Sequence, residues 1–388
     1  MGGTDRHQLA RLRASIEADV EAGRCDGAVV LVGHHGEIVL EEAIGSTDVT
    51  TGRPARVDDV FRVMSLTKSL TNGVAFVALN QGRLALNTRV VELVPEFAVG
   101  AGAPDPRRAR VTVGDLLSHR SALPTTIMPL PPERVGCLAE VVAKICAMEL
   151  LGEPGETLSY AAAVNHALLA EMVRRAYGAD RFRDVLVSEL LDPLGMTSTA
   201  LGLPHELADR AVPIRVCSAT PSAGGVQAAD LEIFNSLVTT EAEMPWVGGV
   251  STAPDVFRMA EMFRRGGEID GVRVLSPALL DTVTVNRTGE QVNSVFAEVA
   301  GDRAPLFAPA PGYLSFGFSL SGPSTAPSMF GTLTSPSTYG NFGAGSGLFW
   351  VDPERDLTFV FLSAGLMPEP SNLFRFQRLS DLAATAAW

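Results

Sequence analysis

Strand-like segments lie near both ends of the chain, and a long stretch with helical periodicity separates them. Near the start, residues 27–45 read GAVVLVGHHGEIVLEEAIG, two apolar runs around a glycine-containing turn, which is typical of an antiparallel hairpin. Three further strand-like runs lie toward the other end: YLSFGFSL (313–320), GLFWVDP (347–353) and LTFVFLSAG (357–365). The pattern predicts one sheet assembled from both ends of the chain.

The middle of the chain shows helical apolar periodicity with glycine or proline stops. We therefore predict an α+β fold, in which residues 1–80 and 236–388 form a discontinuous lobe with an antiparallel sheet flanked by helices. Residues 81–235 form an inserted, mostly helical lobe. The active site is expected in the cleft between the two lobes, with loops from the Pro-, Ser-, Ala- and Gly-rich residues 300–338 along its rim.

Charge and apolar content exclude several classes of function. The formal net charge is -13, which disfavours binding to nucleic acid or to anionic membranes. The N-terminal segment is charged throughout and has no apolar core of the kind a secretory signal requires, and no apolar run approaches the ~18 residues of a membrane span. We expect a cytoplasmic protein without nucleic-acid or membrane partners.

Neither a metal nor a cofactor is predicted. The four cysteines, Cys25, Cys137, Cys146 and Cys217, lack the spacing of metal ligands, and four in so long a chain do not indicate a disulfide scaffold. The six histidines are scattered, without an HExxH or comparable pair. We interpret the cysteines as packed free thiols.

The segment FRVMSLTKSL places Ser65 and Lys68 three residues apart at the start of a predicted helix. Both side chains then project from one face, and Asn72 continues that face at the next turn. A serine hydroxyl is a poor nucleophile until a neighbouring group takes its proton, and a neutral lysine amine can do so. The spacing predicts Ser65 as nucleophile and Lys68 as base, although an S-x-x-K pattern alone is weak.

Lysine usage strengthens this interpretation. Of the 31 Lys and Arg residues, only Lys68 and Lys144 are lysines, so this sequence almost always places arginine where a surface cation suffices. A desolvated lysine can become neutral near working pH, whereas arginine effectively cannot, and a proton shuttle requires that property. Lys68 is therefore predicted to be catalytic.

With these residues identified, the chain resembles the group of class C beta-lactamases, DD-peptidases and family VIII carboxylesterases, whose nucleophile motif is S-x-x-K. The resemblance runs along nearly the whole chain. Beyond SLTK, it is carried by TVGDLLSHRSALP (112–124), PGETLSY (154–160), LLDPLGMTSTALGLP (190–204), GGVSTAPDVFRM (248–259) and GNFGAGSGLFWVDPE (340–354), in the order of the family. It implies the beta-lactamase-like fold.

The second motif of that family is Tyr-x-Asn, and the match here is Tyr160-Ala161-Ala162. The resemblance implies that Tyr160 relays the proton together with Lys68. Alanine replaces the asparagine that binds the amide beside the scissile bond in penicillin-recognising members, which argues against beta-lactam hydrolysis. The alternative is that Tyr160 is a buried aromatic residue with a satisfied hydroxyl.

The third motif is Lys/His-x-Gly, and counting back from the shared Asp-Pro places Asn341-Phe342-Gly343 there. These residues are expected to line the substrate site. The cation that would hold a substrate carboxylate is missing, which favours a neutral ester or thioester. The next residue, Ala344, falls where the family presents a backbone N–H to the oxyanion, paired with the N–H of Ser65. Alternatively, the glycines only allow close strand packing.

His119, in LLSHRS, suggests a Ser-His-Asp triad as a rival interpretation. We do not favour it, because no G-x-S-x-G elbow is present and the equivalent stretch of the family is a structural turn.

We therefore expect a serine hydrolase that forms an acyl-enzyme on Ser65, most simply a carboxylesterase acting on a neutral small-molecule ester. The first alternative is an acyltransferase of specialised metabolism that passes the same acyl group to an alcohol or amine. Beta-lactamase or DD-peptidase activity is a further alternative. The last is a binding protein without turnover, which the altered second and third motifs permit.

Overall fold

The computed structural model describes residues 3–100, 105–217, 228–292 and 310–387. Its main feature is a seven-stranded antiparallel sheet in the order β3-β2-β1-β12-β11-β10-β9. The strands of this sheet are β1 (Gly27–His34), β2 (Glu37–Asp48), β3 (Arg53–Pro54), β9 (Ser319–Leu320), β10 (Tyr339–Gly343), β11 (Gly347–Asp352) and β12 (Leu357–Ala364).

The central pair of the sheet joins the two ends of the chain. Strand β1 pairs with β12 from Gly27 opposite Ala364 to His34 opposite Leu357. All residues of both strands are buried, because helices cover both faces of the sheet, which explains the unbroken apolar runs in the sequence. The prediction of one sheet assembled from both chain ends is confirmed.

Two terminal helices cover one face of the sheet. They are α1 (Arg6–Glu21) and α12 (Ser371–Ala384), which pack on each other. Leu12 and Ile16 of α1 and Phe376 of α12 share an apolar core with the inward side chains of the sheet. The other face carries α10 (Ala253–Arg264), which contacts β1, β11 and β12.

The segment between the N-terminal and C-terminal strands is rich in helices, as predicted. The α-helices are α2 (Thr67–Asn80), α3 (Val90–Leu93), α4 (Val113–Leu117), α5 (Leu138–Cys146), α6 (Val164–Tyr177), α7 (Phe182–Leu186), α8 (Asp192–Leu194), α9 (Phe234–Leu237) and α11 (Pro277–Val283). A π-helical turn (Val187–Leu191) links α7 to α8, and 3-10 turns occupy Met64–Leu66, Pro95–Ala98, Pro106–Arg110, His205–Arg210 and Ala228–Ile233. No helix in the described ranges is both long enough and apolar enough to cross a membrane.

Two small sheets complete the architecture. The first has the order β4-β6-β5, and the second is the pair β7-β8. Their strands are β4 (Phe61–Arg62), β5 (Ala200–Leu201), β6 (Gly249–Ser251), β7 (Glu268–Ile269) and β8 (Val272–Arg273). Strand β5 therefore comes from the segment predicted to be mostly helical and pairs with β6.

The structure corrects two local predictions. The helix predicted from Ser65 begins as a 3-10 turn, and the α-helix starts at Thr67. The predicted strand at residues 313–320 is reduced to Ser319–Leu320, because Gly317 has φ +92° and its N–H donates to the carbonyl of Leu117 instead of to a neighbouring strand. Of the predicted rim loops, residues 300–309 lie outside the described residues, and 310–338 are irregular apart from β9.

Candidate active site

Ser65 sits at the middle of the 3-10 turn that leads into α2. The preceding residue, Met64, has φ +48°, a left-handed conformation that costs a non-glycine residue roughly 1–3 kcal/mol. The Thr67 hydroxyl stabilises this turn, since it donates to the Met64 carbonyl at 2.6 Å and accepts from the Gly249 N–H at 2.8 Å. The turn leaves Ser65 half-buried at the edge of a cleft.

The amine of Lys68 lies against the Ser65 hydroxyl. Its Nζ is 2.9 Å from Ser65 Oγ and donates to the Trp246 carbonyl oxygen at 3.0 Å. Lys68 itself is buried, and it forms no ion pair with any carboxylate among the described residues. The two residues predicted from the S-x-x-K spacing are thus in direct contact.

Tyr160 lines the same cleft, but its ring, and not its hydroxyl, contacts the Lys68 amine. Lys68 Nζ lies 5.3 Å from the centroid of the Tyr160 ring, in a cation–π arrangement. The Tyr160 hydroxyl has no hydrogen-bond partner in the described part of the chain, and the amine is instead held by Ser65 and Trp246. The structure brings the phenol ring to Lys68 without a bond between amine and hydroxyl.

The strand β10 approaches the Ser65 backbone closely. A Cβ placed on Gly343 would lie 2.5 Å from the Val63 carbonyl oxygen and 3.4 Å from the Ser65 nitrogen, so only glycine fits there. Ala344 follows at the start of the β10–β11 turn. Neither its N–H nor that of Ser65 donates a hydrogen bond to another described residue. An oxyanion hole requires two unbonded N–H groups directed at one point, and these two are unbonded.

Of the three residues of the third motif, Asn341 and Phe342 line the cleft, whereas Gly343 is not among its lining residues. Asn341 Nδ2 donates to Ser69 Oγ at 2.9 Å and to the Gly317 carbonyl at 3.0 Å. The amide nitrogen is therefore engaged within the protein.

Two histidines are buried beside Lys68: His119, which the sequence analysis considered and rejected as a triad member, and His166, which it did not single out. His119 and His166 both line the cleft, with ring centroids 5.5 Å apart, and the His119 ring lies 4.5 Å from that of Tyr160. Burial, and secondarily the charge of Lys68, lowers the pKa of His119 to about 3. Burial also lowers the pKa of His166 far below its ordinary value, with smaller contributions from His119 and Lys68. Both imidazoles are neutral at physiological pH.

The hydrogen bonds of these histidines do not form a catalytic triad. His119 Nδ1 contacts Asn165 Nδ2 at 3.2 Å, and no bond joins His119 to Ser65 among the described residues. His166 Nε2 contacts Asn72 Oδ1 at 3.1 Å. Asn72 was noted on the Ser65 face of its helix, whereas nothing in the sequence distinguishes His166 from a buried core histidine.

The cleft is lined by residues of α2 and β10 and by the segments around residues 117, 160 and 317. It encloses about 420 Å³, including its open mouth. A second cavity of about 540 Å³, again including open space, adjoins it and shares Leu314, Ser319 and Phe342 with it. This side cavity is mainly lined by Ala310, Pro311, Tyr313, Leu320, Pro327, Met329 and Phe330. No group of three or more His, Cys, Asp or Glu side chains suited to a metal ion occurs in the described ranges.

A sequence model of the Beta-lactamase family matches residues 12–384, and together with the fold this match supports a serine hydrolase-type enzyme. The chain belongs to the Beta-lactamase family. Protein Rv1367c of Mycobacterium tuberculosis is 27% identical to it over 380 residues, which cover 90% of this chain and 88% of that protein. Esterase EstB of Burkholderia gladioli is 31% identical over 202 residues, 48% of this chain and 50% of EstB.

Solved structures agree with this fold. The structure of EstCE1, described as a hydrolase with promiscuous acyltransferase activity, superposes with a TM-score of 0.76. It covers 96% of this chain and 98% of its own at 20% sequence identity, so the likeness concerns the fold.

Proposed function

We propose that this protein is a carboxylesterase that forms an acyl-enzyme on Ser65 with a neutral small-molecule ester. The observation that carries the proposal is the 2.9 Å contact between Lys68 Nζ and Ser65 Oγ at the edge of an open cleft. A base within hydrogen-bond reach of a hydroxyl is the geometric requirement for nucleophilic catalysis by serine.

In the proposed reaction, the neutral amine of Lys68 takes the Ser65 proton as Oγ attacks the ester carbonyl. The N–H groups of Ser65 and Ala344 bind the developing oxyanion, and the position of Gly343 against the Ser65 backbone supports this pairing. The proton passes to the departing alcohol as the acyl–oxygen bond breaks. Tyr160, whose ring centroid lies 5.3 Å from Lys68 Nζ, would relay this proton once its hydroxyl turns toward the amine.

Two features favour esters over beta-lactams. Ala162 stands where penicillin-recognising relatives have an asparagine, and Asn341 stands where they have a cation. Phe318, Leu117 and Leu314 make much of the cleft lining apolar. The similarity to the esterase EstB supports the same choice.

Acyl transfer is the second candidate, because the cleft and the side cavity are neighbours that share Leu314, Ser319 and Phe342 in their linings. One space would then hold the acyl group and the other an alcohol or amine that competes with water for the acyl-enzyme. The fold shared with EstCE1, a hydrolase with promiscuous acyltransferase activity, is compatible with either outcome.

The test is hydrolysis of p-nitrophenyl acetate and butyrate by the wild type and by Ser65→Ala, with exposed Ser188→Ala as the matched control. We expect turnover by the wild type and the control, and a loss of about 10³-fold or more in Ser65→Ala. Product analysis with added alcohols or amines separates hydrolysis from transfer. Full activity of Ser65→Ala, or faster turnover of a chromogenic cephalosporin than of the esters, would overturn the proposal.

A further inference from the structure

The carbonyl oxygen of Gly317 fixes the orientation of two asparagine side chains at the cleft. It accepts from Asn72 Nδ2 at 2.8 Å and from Asn341 Nδ2 at 3.0 Å. A carbonyl oxygen only accepts hydrogen bonds, so each asparagine must turn its NH₂ group toward Gly317 and its own oxygen away. A Cβ on Gly317 would lie 3.0 Å from Asn72 Nδ2, and its φ of +92° also favours glycine.

The side-chain oxygens of Asn72 and Asn341 differ in their hydrogen bonding. Asn72 Oδ1 is satisfied by His166 Nε2 at 3.1 Å, deep in the protein. Both N–H groups of Asn341 are used, one by Gly317 and one by Ser69 Oγ, while its Oδ1 has no partner among the described residues. Asn341 Oδ1 lacks a partner without being buried, because Asn341 is half-exposed at the cleft wall. The cleft thus presents a fixed, unoccupied hydrogen-bond acceptor.

The position of this acceptor relative to the proposed chemistry follows from the strand. Asn341 and Gly343 lie two residues apart on β10, so their side-chain directions share one face, and Gly343 is the residue that touches the Ser65 backbone. Two strand residues span about 6–7 Å. A group bonded to Asn341 Oδ1 would therefore lie four or five bonds from a carbonyl carbon attacked by Ser65.

The charges of the cleft lining indicate which substrate group can bind to Asn341 Oδ1. The lining of the described cleft contains no carboxylate and no arginine, and the amine of its one lysine, Lys68, is held by Ser65 and Trp246. A substrate carboxylate at Asn341 would face a carbonyl oxygen and find no cation there. A substrate ammonium would find no carboxylate in the lining. An uncharged N–H or O–H donor matches the acceptor without either penalty.

We propose that Asn341 is a specificity-determining residue that selects uncharged esters carrying an N–H or O–H donor about 6–7 Å from the scissile carbonyl oxygen, and that disfavours esters with a carboxylate there. The inference rests on the proposed esterase function and adds the class of substrate to it. The third motif would then offer the substrate a hydrogen-bond acceptor, where relatives offer a cation that binds a carboxylate.

Three acetate esters of nearly equal shape test the inference. The acetates of glycolamide, hydroxyacetone and glycolate end in CONH₂, COCH₃ and COO⁻, and their hydrolysis is followed by titrating the acetic acid released at constant pH. We expect kcat/KM of the wild type to be about 3- to 10-fold higher for the amide than for the ketone. The carboxylate should be about 10-fold or more below the ketone.

Variants connect the preference to Asn341. In Asn341→Leu, which has similar volume and no acceptor, the amide-to-ketone ratio should fall to about one. In Asn341→Lys, the carboxylate-to-ketone ratio should rise about 10-fold or more, since a cation then stands at the acceptor position. The control is Asn87→Leu at an exposed asparagine, which should retain the wild-type ratios.

The outcomes separate failure of this inference from failure of the esterase function. Hydrolysis of none of the three esters by the wild type would reject the esterase function. Hydrolysis of all three without preference for the amide, or with the carboxylate fastest, would overturn the inference alone. An amide preference that persists in Asn341→Leu would also overturn it. If Asn341→Leu does not fold, the wild-type ratios and Asn341→Lys still decide.

Discussion

At the scale of single residues, the site is organised around a buried amine with a hydroxyl and a carbonyl as its hydrogen-bond partners. Lys68 donates to Ser65 Oγ and to the Trp246 carbonyl. The sequence allowed this contact to be predicted, because residues three apart at a helix start share a face and because lysine is so rare in this chain. The bond to the Trp246 carbonyl could not be predicted from a local pattern, because Trp246 lies 178 positions further along the chain.

Replacing Lys68 by methionine tests its proposed role as the base. We expect kcat for p-nitrophenyl acetate to fall about 10²- to 10⁴-fold, since removal of a general base costs that much. The only other lysine, Lys144, is exposed on α5, so Lys144→Met is the matched control and should retain the wild-type rate. Equal rates in both variants would show that Lys68 takes no part in proton transfer.

The buried histidines predict how stability depends on pH. Unfolded imidazoles bind protons below their ordinary pKa of 6.5, whereas the pKa of His119 in the folded protein is about 3. The unfolded chain therefore binds more protons between these values, and the free energy of unfolding falls as the pH drops from 6.5 toward 3. Each such histidine contributes at most about 1.4 kcal/mol per pH unit.

This dependence is measured by urea unfolding of the wild type and of His166→Gln between pH 4 and 7.5. Glutamine keeps a donor for Asn72 Oδ1 and does not titrate, so the variant should lose less stability on acidification than the wild type. His205→Gln, at an exposed site, should follow the wild type. Parallel curves for all three proteins would contradict the low pKa of His166.

At the scale of elements, the site depends on how one strand end meets one helical turn. The apolar patterns of the sequence predicted α2 and, in the main sheet, β1, β2, β11 and β12. They did not predict β10, whose residues YGNFG form no apolar run. The sequence did not predict that the strand at residues 313–320 breaks at Gly317, because the backbone conformation of a glycine is set by its tertiary contacts. Nor did it predict the 3-10 geometry at Ser65.

The contact between β10 and the Ser65 turn is tested by Gly343→Ala. The new Cβ would lie 2.5 Å from the Val63 carbonyl, so the strand must shift and move the Ala344 N–H away from that of Ser65. We expect kcat for p-nitrophenyl acetate to fall about 10²- to 10³-fold, as for removal of one oxyanion donor. Gly152→Ala, where a Cβ meets nothing within 4 Å, is the control. Unchanged kcat in Gly343→Ala would argue against the oxyanion assignment.

At the scale of the whole molecule, the sheet separates two cores. The larger core lies on the side of α2, α6 and α10 and includes the residues beneath the site, whereas the smaller one lies beneath α1 and α12. The sequence predicted the pairing of the chain ends and a sheet flanked by helices. The division of the chain into lobes at residues 80 and 235 stays a prediction. Contacts that join residues 72, 166, 317 and 341 arise only when the whole chain is folded.

The smaller core is predicted to stabilise the molecule without shaping the chemistry. Phe376 is fully buried on α12, and its ring lies 6.0 Å from that of Phe361. Phe376→Ala should lower the free energy of unfolding by about 3–5 kcal/mol. Phe374 is 46% exposed on the same helix, so Phe374→Ala should cost about 1 kcal/mol or less. Chemical denaturation of both variants gives the comparison, and equal losses would contradict the assignment of Phe376 to the core.

The central claim is that the hydroxyl of Ser65 becomes covalently acylated with the help of Lys68. The most direct measurement is the intact mass of the protein after reaction with a fluorophosphonate or a slowly deacylating ester, followed by peptide mapping of the modified residue. The account predicts one added group, located on Ser65, in the wild type and in Lys144→Met, with much slower labelling in Lys68→Met and none at this position in Ser65→Ala. Labelling at another residue, or no labelling of a folded wild-type protein, would contradict it.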